Sequence, residues 1–380
     1  MVLSTWWPLV VLIALPAAGR CAEDEDGARL SAPRVLLTAS HIGGGKVLIV
    51  GGLKDSHSLL SAMGTADLLD CGGTECALTT MPLGGDAFAA RAGHAADLLP
   101  GGRLLVAGGN LKGSVELFEP AEDGDGPGAF RWIGLLPGGA RMELTATTLL
   151  DGRVLIVGGL TGSGKSSSRS DLYDPVKEQI LKGPDLSEPR HGHTATLLKD
   201  GRVLIAGGVG RSSTELFDPI RDRFLPGPEM AHARDDHAAT RLEDGTVLIT
   251  GGQLASGRSV ASTARFDPAS NRFLSSTPMN FDRADHVQIV LPDGSVLVMG
   301  GESDDGKGHD TILDSVERFD PATGRFERTA PLKFRRDDHA AVLLPDGRIL
   351  VAGGQGPGDR PLQSVEFYRP ERSAESKGDG

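Results

Sequence analysis

The sequence predicts an all-β fold assembled from seven copies of a four-stranded unit, and three observations carry this prediction. Among 380 residues there are 53 glycines and 23 prolines, 4% are aromatic, and no long stretch has helical periodicity. This composition is typical of many short strands joined by tight turns. A glycine pair after a short apolar run occurs seven times, and an arginine precedes every pair by the same distance.

The glycine pair is the first repeated element. Successive pairs are 57, 50, 49, 44, 49 and 53 residues apart, and a repeat of about that length is the signature of a propeller or solenoid. The pairs are Gly51-Gly52, Gly108-Gly109, Gly158-Gly159, Gly207-Gly208, Gly251-Gly252, Gly300-Gly301 and Gly353-Gly354.

The arginine is the second element, and it stands 17 residues before the first glycine of each pair. Because this spacing never changes, insertions must fall elsewhere, and the segment is predicted to be a strand, a turn and a strand. Five copies carry Asp-Gly between two apolar runs, a strong hairpin signal because glycine readily adopts positive φ. The arginines are Arg34, Arg91, Arg141, Arg190, Arg234, Arg283 and Arg336.

A third strand follows each glycine pair, and a fourth strand follows in the repeats before the last. The third ends in an aromatic residue, an acid and a proline, as in Phe217-Asp-Pro219, and the fourth begins as in Arg223-Phe-Leu225. A four-stranded meander of this kind cannot bury both faces alone and must stack on its copies. We therefore predict a seven-bladed β-propeller, with six blades as the alternative.

This combination resembles the Kelch repeat in its bacterial tandem form, related to the propellers of galactose oxidase. The resemblance covers residues 28–372, and its departures are Leu69-Asp-Cys71 in the first copy and Tyr368-Arg-Pro370 in the last. It implies that each arginine precedes an innermost strand, so that the seven arginines ring one mouth of a central channel.

The two ends of the chain predict export and ring closure. Residues 1–22 are predicted to be a signal peptide, with an apolar run from Trp6 to Ala18 that is too short to span a bilayer. A lipid anchor at Cys21 is not expected, because Arg20 stands where a small residue is needed. Residues 28–33 resemble a fourth strand and are predicted to complete the seventh blade, before a polar tail at 373–380.

Cys71 and Cys76 are predicted to form a disulfide, since an exported compartment lets them pair across a tight turn. The alternative is a metal site, which needs more ligands nearby than Asp70 and Glu75. We predict no metal and no other cofactor.

The arginines and the histidines three residues after them are the candidate ligand-binding residues. One interpretation is a polar funnel for an anionic ligand, because guanidinium groups bind carboxylates and sulfates in bidentate fashion. The other is structural, with the arginines bracing the blades or pairing with the acids Asp235, Asp236, Asp285, Asp337 and Asp338. The histidines are His94, His193, His237, His286 and His339, while Leu37 and Leu144 replace them in two copies.

Function is also expected in the unequal loops, which can build a partner-specific rim. The longest inserts are Ser56–Thr65 in the first blade, Ala121–Ala129 in the second and Ser303–Asp314 in the sixth. Gly159–Ser166 matches the pattern of a phosphate-binding loop, but no helix is predicted after it, so nucleotide binding is not expected.

The sequence therefore predicts an exported, monomeric, non-catalytic module that binds a protein or a glycan, with an anionic ligand among the options. A formal net charge of −12 disfavours nucleic acid as a partner, and no membrane span is expected. The alternative is a carbohydrate-active enzyme, an epimerase or a uronate lyase, in which an arginine neutralises the sugar carboxylate and a histidine removes a proton.

Overall fold

A computed structural model describes residues 19–20, 28–71, 76–84, 89–122, 124 and 126–370. Two short 3-10 helices, Leu59–Ser61 and Pro100–Gly102, accompany the strands in these residues. The strands of the first three repeats are β1 (Gly19–Arg20), β2 (Thr38–Gly43), β3 (Lys46–Val50), β4 (Thr65–Asp70), β5 (Ala77–Pro82), β6 (Ala95–Leu98), β7 (Leu104–Ala107), β8 (Ser114–Glu119), β9 (Ala129–Leu135), β10 (Arg141–Met142), β11 (Thr145–Thr148), β12 (Val154–Val157), β13 (Leu160–Thr161), β14 (Ser170–Asp174) and β15 (Gln179–Lys182).

The remaining strands are β16 (Thr194–Leu197), β17 (Val203–Ala206), β18 (Thr214–Asp218), β19 (Arg223–Pro226), β20 (Ala238–Arg241), β21 (Val247–Thr250), β22 (Thr263–Asp267), β23 (Arg272–Leu274), β24 (Val287–Val290), β25 (Val296–Met299), β26 (Glu302–Asp304), β27 (Asp310–Ile312), β28 (Val316–Asp320), β29 (Arg325–Thr329), β30 (Ala340–Leu343), β31 (Ile349–Ala352), β32 (Gln355–Gly356), β33 (Arg360–Pro361) and β34 (Val365–Tyr368).

Seven antiparallel sheets form a ring, which confirms the predicted seven-bladed β-propeller, and three further pairs of short strands, β10–β13, β26–β27 and β32–β33, lie outside these sheets. Blades 1 to 6 each contain a meander of four strands: β2–β5, β6–β9, β11–β12–β14–β15, β16–β19, β20–β23 and β24–β25–β28–β29. Blade 7 has β30, β31 and β34. The innermost strands of neighbouring blades contact one another around the whole ring, including β30 with β2.

The hydrophobic core lies between the blades, one cluster at each of the seven junctions. Between blades 1 and 2, for example, Leu48 and Val50 pack with Leu104 and Phe118. The second strand of every blade is buried throughout or almost so. This explains why these strands are continuous runs of apolar residues, since both of their faces meet a neighbour.

The N-terminal segment lies along the third strand of blade 7, in the place of a fourth strand. Val365 N donates to Ala28 O at 2.7 Å and Leu30 N donates to Gln363 O at 2.9 Å, while Arg29 and Ser364 form an antiparallel bridge. Ala28 and Leu30 are buried in the cluster between blades 7 and 1. The edge of blade 7 is thereby covered.

The turns follow the repeated sequence signals. In the Asp-Gly turn of blade 3, Gly152 adopts a φ of +87° and its N donates to Leu149 O, while Asp151 Oδ1 accepts from Arg153 N. In the aromatic-acid-proline turn of blade 4, Asp218 Oδ1 accepts from Ile220 N. Phe217 packs on Phe224 across the strands with ring centroids 5.2 Å apart. Side-chain acceptors and left-handed glycines therefore set the turns that fix each blade's register.

Cys71 and Cys76 are joined by a disulfide at the end of β4. The tail at 373–380, Cys21 and the predicted signal peptide, apart from Gly19–Arg20, lie outside the described residues. Gly19–Arg20 pairs with β5 of blade 1. Within the described part of the chain, no helix is long and apolar enough to cross a membrane.

Candidate functional site

The seven repeated arginines lie inside the blades, with no more than 2% of each residue exposed. In six blades the Nη1 atom donates to the carbonyl of the first glycine of the pair, at 2.6 to 3.1 Å. In blade 3, Arg141 instead donates to Arg169 O. In the other six blades the guanidinium group therefore ties the start of the innermost strand to the far end of the second strand, which explains the 17-residue spacing.

A carboxylate on the third strand of the same blade pairs with the arginine in six of the seven blades. In five of these blades the acid also accepts a backbone N–H from the segment that enters the blade; Glu215, for example, accepts from Ser187 N at 3.0 Å. The pairs are Arg34–Asp67, Arg91–Glu116, Arg141–Asp171, Arg190–Glu215, Arg283–Glu317 and Arg336–Glu366. Buried ion pairs with such extra hydrogen bonds satisfy both charges.

Blade 5 departs from this pattern. Ala264 occupies the position of the acid, two residues before Phe266, and Arg234 donates instead to the carbonyl and hydroxyl oxygens of Ser262, both at 2.8 Å. Burial without a carboxylate lowers the pKa of Arg234 to about 10. Blade 5 therefore holds a buried guanidinium group with neutral partners only.

The prediction that the arginines form a ring at the channel mouth is wrong. The guanidinium groups do not line the mouth, and their carboxylate partners are the third-strand acids rather than Asp235, Asp236, Asp285, Asp337 or Asp338. The sequence carries a signal for the true partners, because Ser-x-Glu-x-aromatic recurs at Ser114, Ser213, Ser315 and Ser364.

The residue two positions after each arginine forms the innermost ring of the channel. Its backbone N–H donates to the carbonyl of the equivalent residue in the preceding blade in six places, at 2.7 to 3.3 Å. All seven residues have positive φ, from 45° to 62°. They are Leu36, Gly93, Glu143, Gly192, Asp236, Asp285 and Asp338. Aspartate and glycine are among the residues that adopt this backbone conformation most readily.

The repeated histidines stand beside this ring, and each is buried, with 6% of the residue exposed. In four of them Nε2 shares a hydrogen bond of 2.7 to 3.1 Å with a threonine hydroxyl of the preceding blade. His339 differs, because neither of its ring nitrogens has a hydrogen-bond partner in the described part of the chain. The histidines therefore serve mainly as contacts between blades, and His339 is the exception.

A cavity of about 250 Å³ opens at the mouth of the channel. Carboxylates of Asp236, Asp285 and Asp338 line one side, and Leu36 and Leu37 line another. Gly93, Val287 and the histidines of blades 2, 5, 6 and 7 complete the wall. We call this space the mouth cavity. Of the predicted site residues, the structure brings four histidines to it and no arginine.

Burial lowers the pKa values of the repeated histidines and raises those of the aspartates beside them. Burial lowers the pKa of His94, His193, His237 and His339 to about 3, with the charge of the neighbouring arginine adding to the effect. It lowers the pKa of His286 as well. Burial, reinforced by Glu302 and Glu143, raises the pKa of Asp338 to about 7. The pKa values of Asp236 and Asp285 are likewise raised, by burial and by neighbouring carboxylates.

We expect stability to fall as the pH rises from 6.5 to 8.5. The unfolded histidines titrate near pH 6.5 and unfolded aspartates near 3.9, so above pH 6.5 the carboxylates are the groups whose protonation differs. The folded protein then binds more protons than the unfolded chain, since burial also raises the pKa of Asp337, to about 8. Each group still protonated contributes a loss of about 1.4 kcal/mol per pH unit.

Urea unfolding at pH 6.5, 7.5 and 8.5 measures this dependence, and Asp338→Asn is expected to flatten it. Below pH 6.5 the neutral buried histidines oppose the carboxylates, so little net slope is expected there. A wild-type stability that is constant between pH 6.5 and 8.5 would contradict the assignment.

The loops after the glycine pairs lie on the same face as the mouth cavity. Their first residues bridge to the residue just before the innermost ring, as in Asp235 with Gln253 and Asp337 with Gln355. We call this side the mouth face. The long inserts of blades 1 and 6 belong to it, whereas the insert Ala121–Ala129 joins the third and fourth strands of blade 2 and so lies on the opposite face.

Neighbouring loops of the mouth face contact one another. Between blades 5 and 6, Ser259 N donates to Asp304 O at 3.0 Å, and between blades 7 and 1, Ser56 Oγ donates to Asp359 O at 3.4 Å. The segment Gly159–Ser166 is a tight hairpin loop on this face, where Thr161 N donates to Lys165 O. It is not the turn between a strand and a helix that a phosphate-binding loop requires.

The fold is a seven-bladed β-propeller, and one sequence motif recurs through its blades. Residues 286–333 match the model of the Kelch motif, and the same pattern of residues recurs in the other blades. A comparison with curated protein sequences found no significant match.

Two solved structures share the fold. One is titled a novel fungal alcohol oxidase with catalytic diversity among the AA5 family, in complex with copper; it is 18% identical with a TM-score of 0.74, over 90% of this chain and 76% of the other. The second is YjhT, 13% identical with a TM-score of 0.60, over 91% of this chain and 97% of the other. At these identities the likeness is one of fold.

The residues of this chain do not fit a copper centre built from tyrosine, cysteine and histidine. Tyr173 is fully buried in the core between blades 2 and 3, and the Tyr368 hydroxyl bonds Thr329 and the carbonyl of Ala330. Neither tyrosine lines the mouth cavity. Within the described ranges, no group of three His, Cys, Asp or Glu side chains is arranged to hold a metal ion.

Proposed function

We propose that this chain is an exported, non-catalytic module that binds a protein or glycan ligand on the mouth face of its propeller. The observation that carries the proposal is the state of the repeated arginines. All seven are buried and already bonded to backbone carbonyls, and six are paired with carboxylates. What remains accessible on this face is a set of unequal loops around a small cavity, the arrangement of a binding surface.

The enzyme alternative needs an arginine free to meet a sugar carboxylate and a histidine able to accept a proton. Arg190 is occupied by Gly207 O, Ser213 O and Glu215. A histidine such as His193, whose pKa is lowered to about 3, is a weak base at neutral pH. The geometry therefore favours binding over turnover.

The charge of the mouth face also indicates the kind of ligand. Carboxyl groups rather than guanidinium groups line one side of the mouth cavity, and Glu302 and Asp304 lie in the adjoining loop of blade 6. The raised pKa values of Asp236, Asp285 and Asp338 leave these groups partly protonated at neutral pH, and a bound cation would hold them ionised. An anionic ligand would be repelled there, while cationic groups and hydrogen-bond donors would be attracted. The proposed ligand is therefore neutral or cationic at the contact, and the earlier option of an anionic ligand is disfavoured.

The test is a glycan array and a pull-down from the native secretion, followed by turnover assays on every hit. We expect binding without product. The loop of residues 302–314 in blade 6, exchanged for the short loop 209–212 of blade 4, is expected to lower binding at least about tenfold, as loss of one buried cluster of contacts does. Asp200→Asn, on the opposite face, is the matched control and should bind normally.

Two results would overturn the proposal. One is product formation that is abolished by Arg190→Ala and His193→Ala in variants that remain folded. The other is a ligand whose binding is unchanged by the loop exchange and lost with Asp200→Asn. Export is tested separately, by the appearance of the chain outside the cytoplasm and by loss of residues 1–22 from it.

A further inference from the structure

The mouth cavity has two chemically different sides, and this breaks the symmetry of the ring. Blades 5, 6 and 7 contribute the carboxylates of Asp236, Asp285 and Asp338, whereas blade 1 contributes the aliphatic side chains Leu36 and Leu37. All of these residues except Leu37 occupy the innermost-ring position of their blades. A ligand that fills the cavity therefore meets acidic carboxyl groups on one side, which a bound cation would hold in the ionised form, and aliphatic surface on the other.

His339 supplies a second, independent indication of a ligand. It lines the cavity and is 94% buried, and its Nε2 has no hydrogen-bond partner in the described part of the chain. In the other blades this atom bonds a threonine at one of two places, four residues after the arginine or just before the glycine pair. Blade 6 has Val287 and Met299 at those two places. A buried polar atom left without a partner is costly, and a ligand that bonds it removes that cost.

The size and spacing of the groups select the kind of cation. The cavity of about 250 Å³ admits one small group. Within the described residues, the carboxylates and histidines do not converge closely enough to hold a metal ion, so the cation is one that bonds through hydrogens over longer distances. A primary ammonium group has three donors and a permanent charge at neutral pH. Its aliphatic stem packs against leucine, as lysine stems do on apolar surfaces.

We propose that the mouth cavity binds a primary ammonium group on an aliphatic chain, the chemistry of a lysine side chain, between the carboxylates of Asp285 and Asp338 and the imidazole of His339. The ammonium donates to the two carboxylates and to a histidine nitrogen, and the stem lies against Leu36 and Leu37. In biological use this rests on the proposed function, because the lysine would belong to a protein ligand held on the mouth face.

The repeat itself provides clean variants for the test. Glycine occupies the innermost-ring position in blades 2 and 4, at Gly93 and Gly192, with the same positive φ as the aspartates. Asp285→Gly and Asp338→Gly therefore remove a carboxylate and suit the backbone conformation. Val287→Thr places a hydroxyl where Thr38, Thr145 and Thr194 bond Nε2 in other blades, and so occupies His339 without changing the size of the side chain much.

The experiment is an NMR titration of the whole propeller with Nα-acetyl-lysine amide, with Nα-acetyl-norleucine amide as the uncharged probe of similar shape and glucosamine as an amine on a sugar ring. We expect saturable shifts from the lysine probe at the cavity residues and none from norleucine or glucosamine. Asp285→Gly and Asp338→Gly are each expected to weaken binding about tenfold, the size of one charged hydrogen bond. Val287→Thr is expected to weaken it several-fold, and Asp346→Asn on the opposite face should leave it unchanged.

No saturable shift from the lysine probe would overturn the inference, as would equal binding of norleucine or of glucosamine. Lysine binding that survives both glycine variants would overturn the assignment of the carboxylates. These outcomes separate this inference from the proposed function. A protein or glycan ligand on the mouth face without lysine binding would support the proposed function and contradict the ammonium site. Lysine binding without any macromolecular ligand would support the ammonium site and contradict the proposed function.

Discussion

Glu317→Ala is expected to lower the free energy of unfolding by about 3–5 kcal/mol, the cost of leaving a buried charge without its partner. The Glu317 carboxylate is fully buried and accepts from Arg283 Nη2 at 3.0 Å, from Asn280 N at 2.7 Å and from Phe281 N at 3.1 Å. Its removal leaves the guanidinium group without a carboxylate and two backbone N–H groups without an acceptor. Equilibrium unfolding in urea, with the pH held at 6.5, measures the loss.

Blade 5 offers the reciprocal experiment in the same molecule. Ala264→Glu supplies the carboxylate that Arg234 lacks, and we expect a gain of about 1 kcal/mol, a typical net value for an added hydrogen bond. Glu317→Gln, which keeps the shape and one acceptor, should cost less than Glu317→Ala. If Glu317→Ala were as stable as the wild type, or if Ala264→Glu were destabilising by as much as Glu317→Ala, the bracing role of the arginines would be wrong.

A chain beginning at residue 34 is expected to be about 5 kcal/mol less stable than one beginning at residue 23. The difference includes burial of Ala28 and Leu30 and the hydrogen bonds to Val365 and Gln363, at about 2–3 kcal/mol for the leucine and about 1 kcal/mol per hydrogen bond. It also includes Ser31, whose N and Oγ donate to the buried Asp67 at 2.8 and 2.9 Å. Thermal unfolding of the two chains gives the comparison.

A peptide of residues 26–33 added to the shortened chain should restore part of the lost stability, because an open sheet edge accepts an added strand. A scrambled peptide of the same composition is the control. Equal melting temperatures of the two chains would show that residues 28–33 contribute nothing to closure. Leu30→Ala in the longer chain is expected to reproduce about half of the loss.

The blades were predictable because their signals are local. Each Asp-Gly turn and each acid-proline turn is set within a few residues, as at Asp151 and Asp218, and the apolar second strands follow from burial on both faces. The constant distance from Arg190 to Gly207 also pointed to one rigid unit, and the structure joins these two residues by a hydrogen bond of 2.7 Å. Seven repetitions of such local signals suffice for the architecture.

The direction of the arginines was not predictable from the same signals. The sequence places Asp236, Asp285 and Asp338 two residues after an arginine, which in an extended strand would put both side chains on one face. The positive φ at these aspartates breaks that alternation, so the carboxylate turns to the channel and the arginine stays in the blade. The actual partners, such as Glu215, lie 25 residues further along the chain. Pairings at that distance depend on how the strands meander.

Closure by residues 28–33 determines when a newly made chain becomes a finished ring. Leu30 O accepts a hydrogen bond from Gln363 Nε2, which lies 333 positions later in the chain. Residues 28–33 therefore cannot pair until the strand of blade 7 that they contact has been made. Long-range pairings of this kind form slowly, because the chain loses the entropy of closing a large loop before the new contacts stabilise it. Until then the face of blade 1 that packs against blade 7 in the finished ring is uncovered. A newly synthesised chain therefore stays an open series of meanders, and the ring closes in one late step.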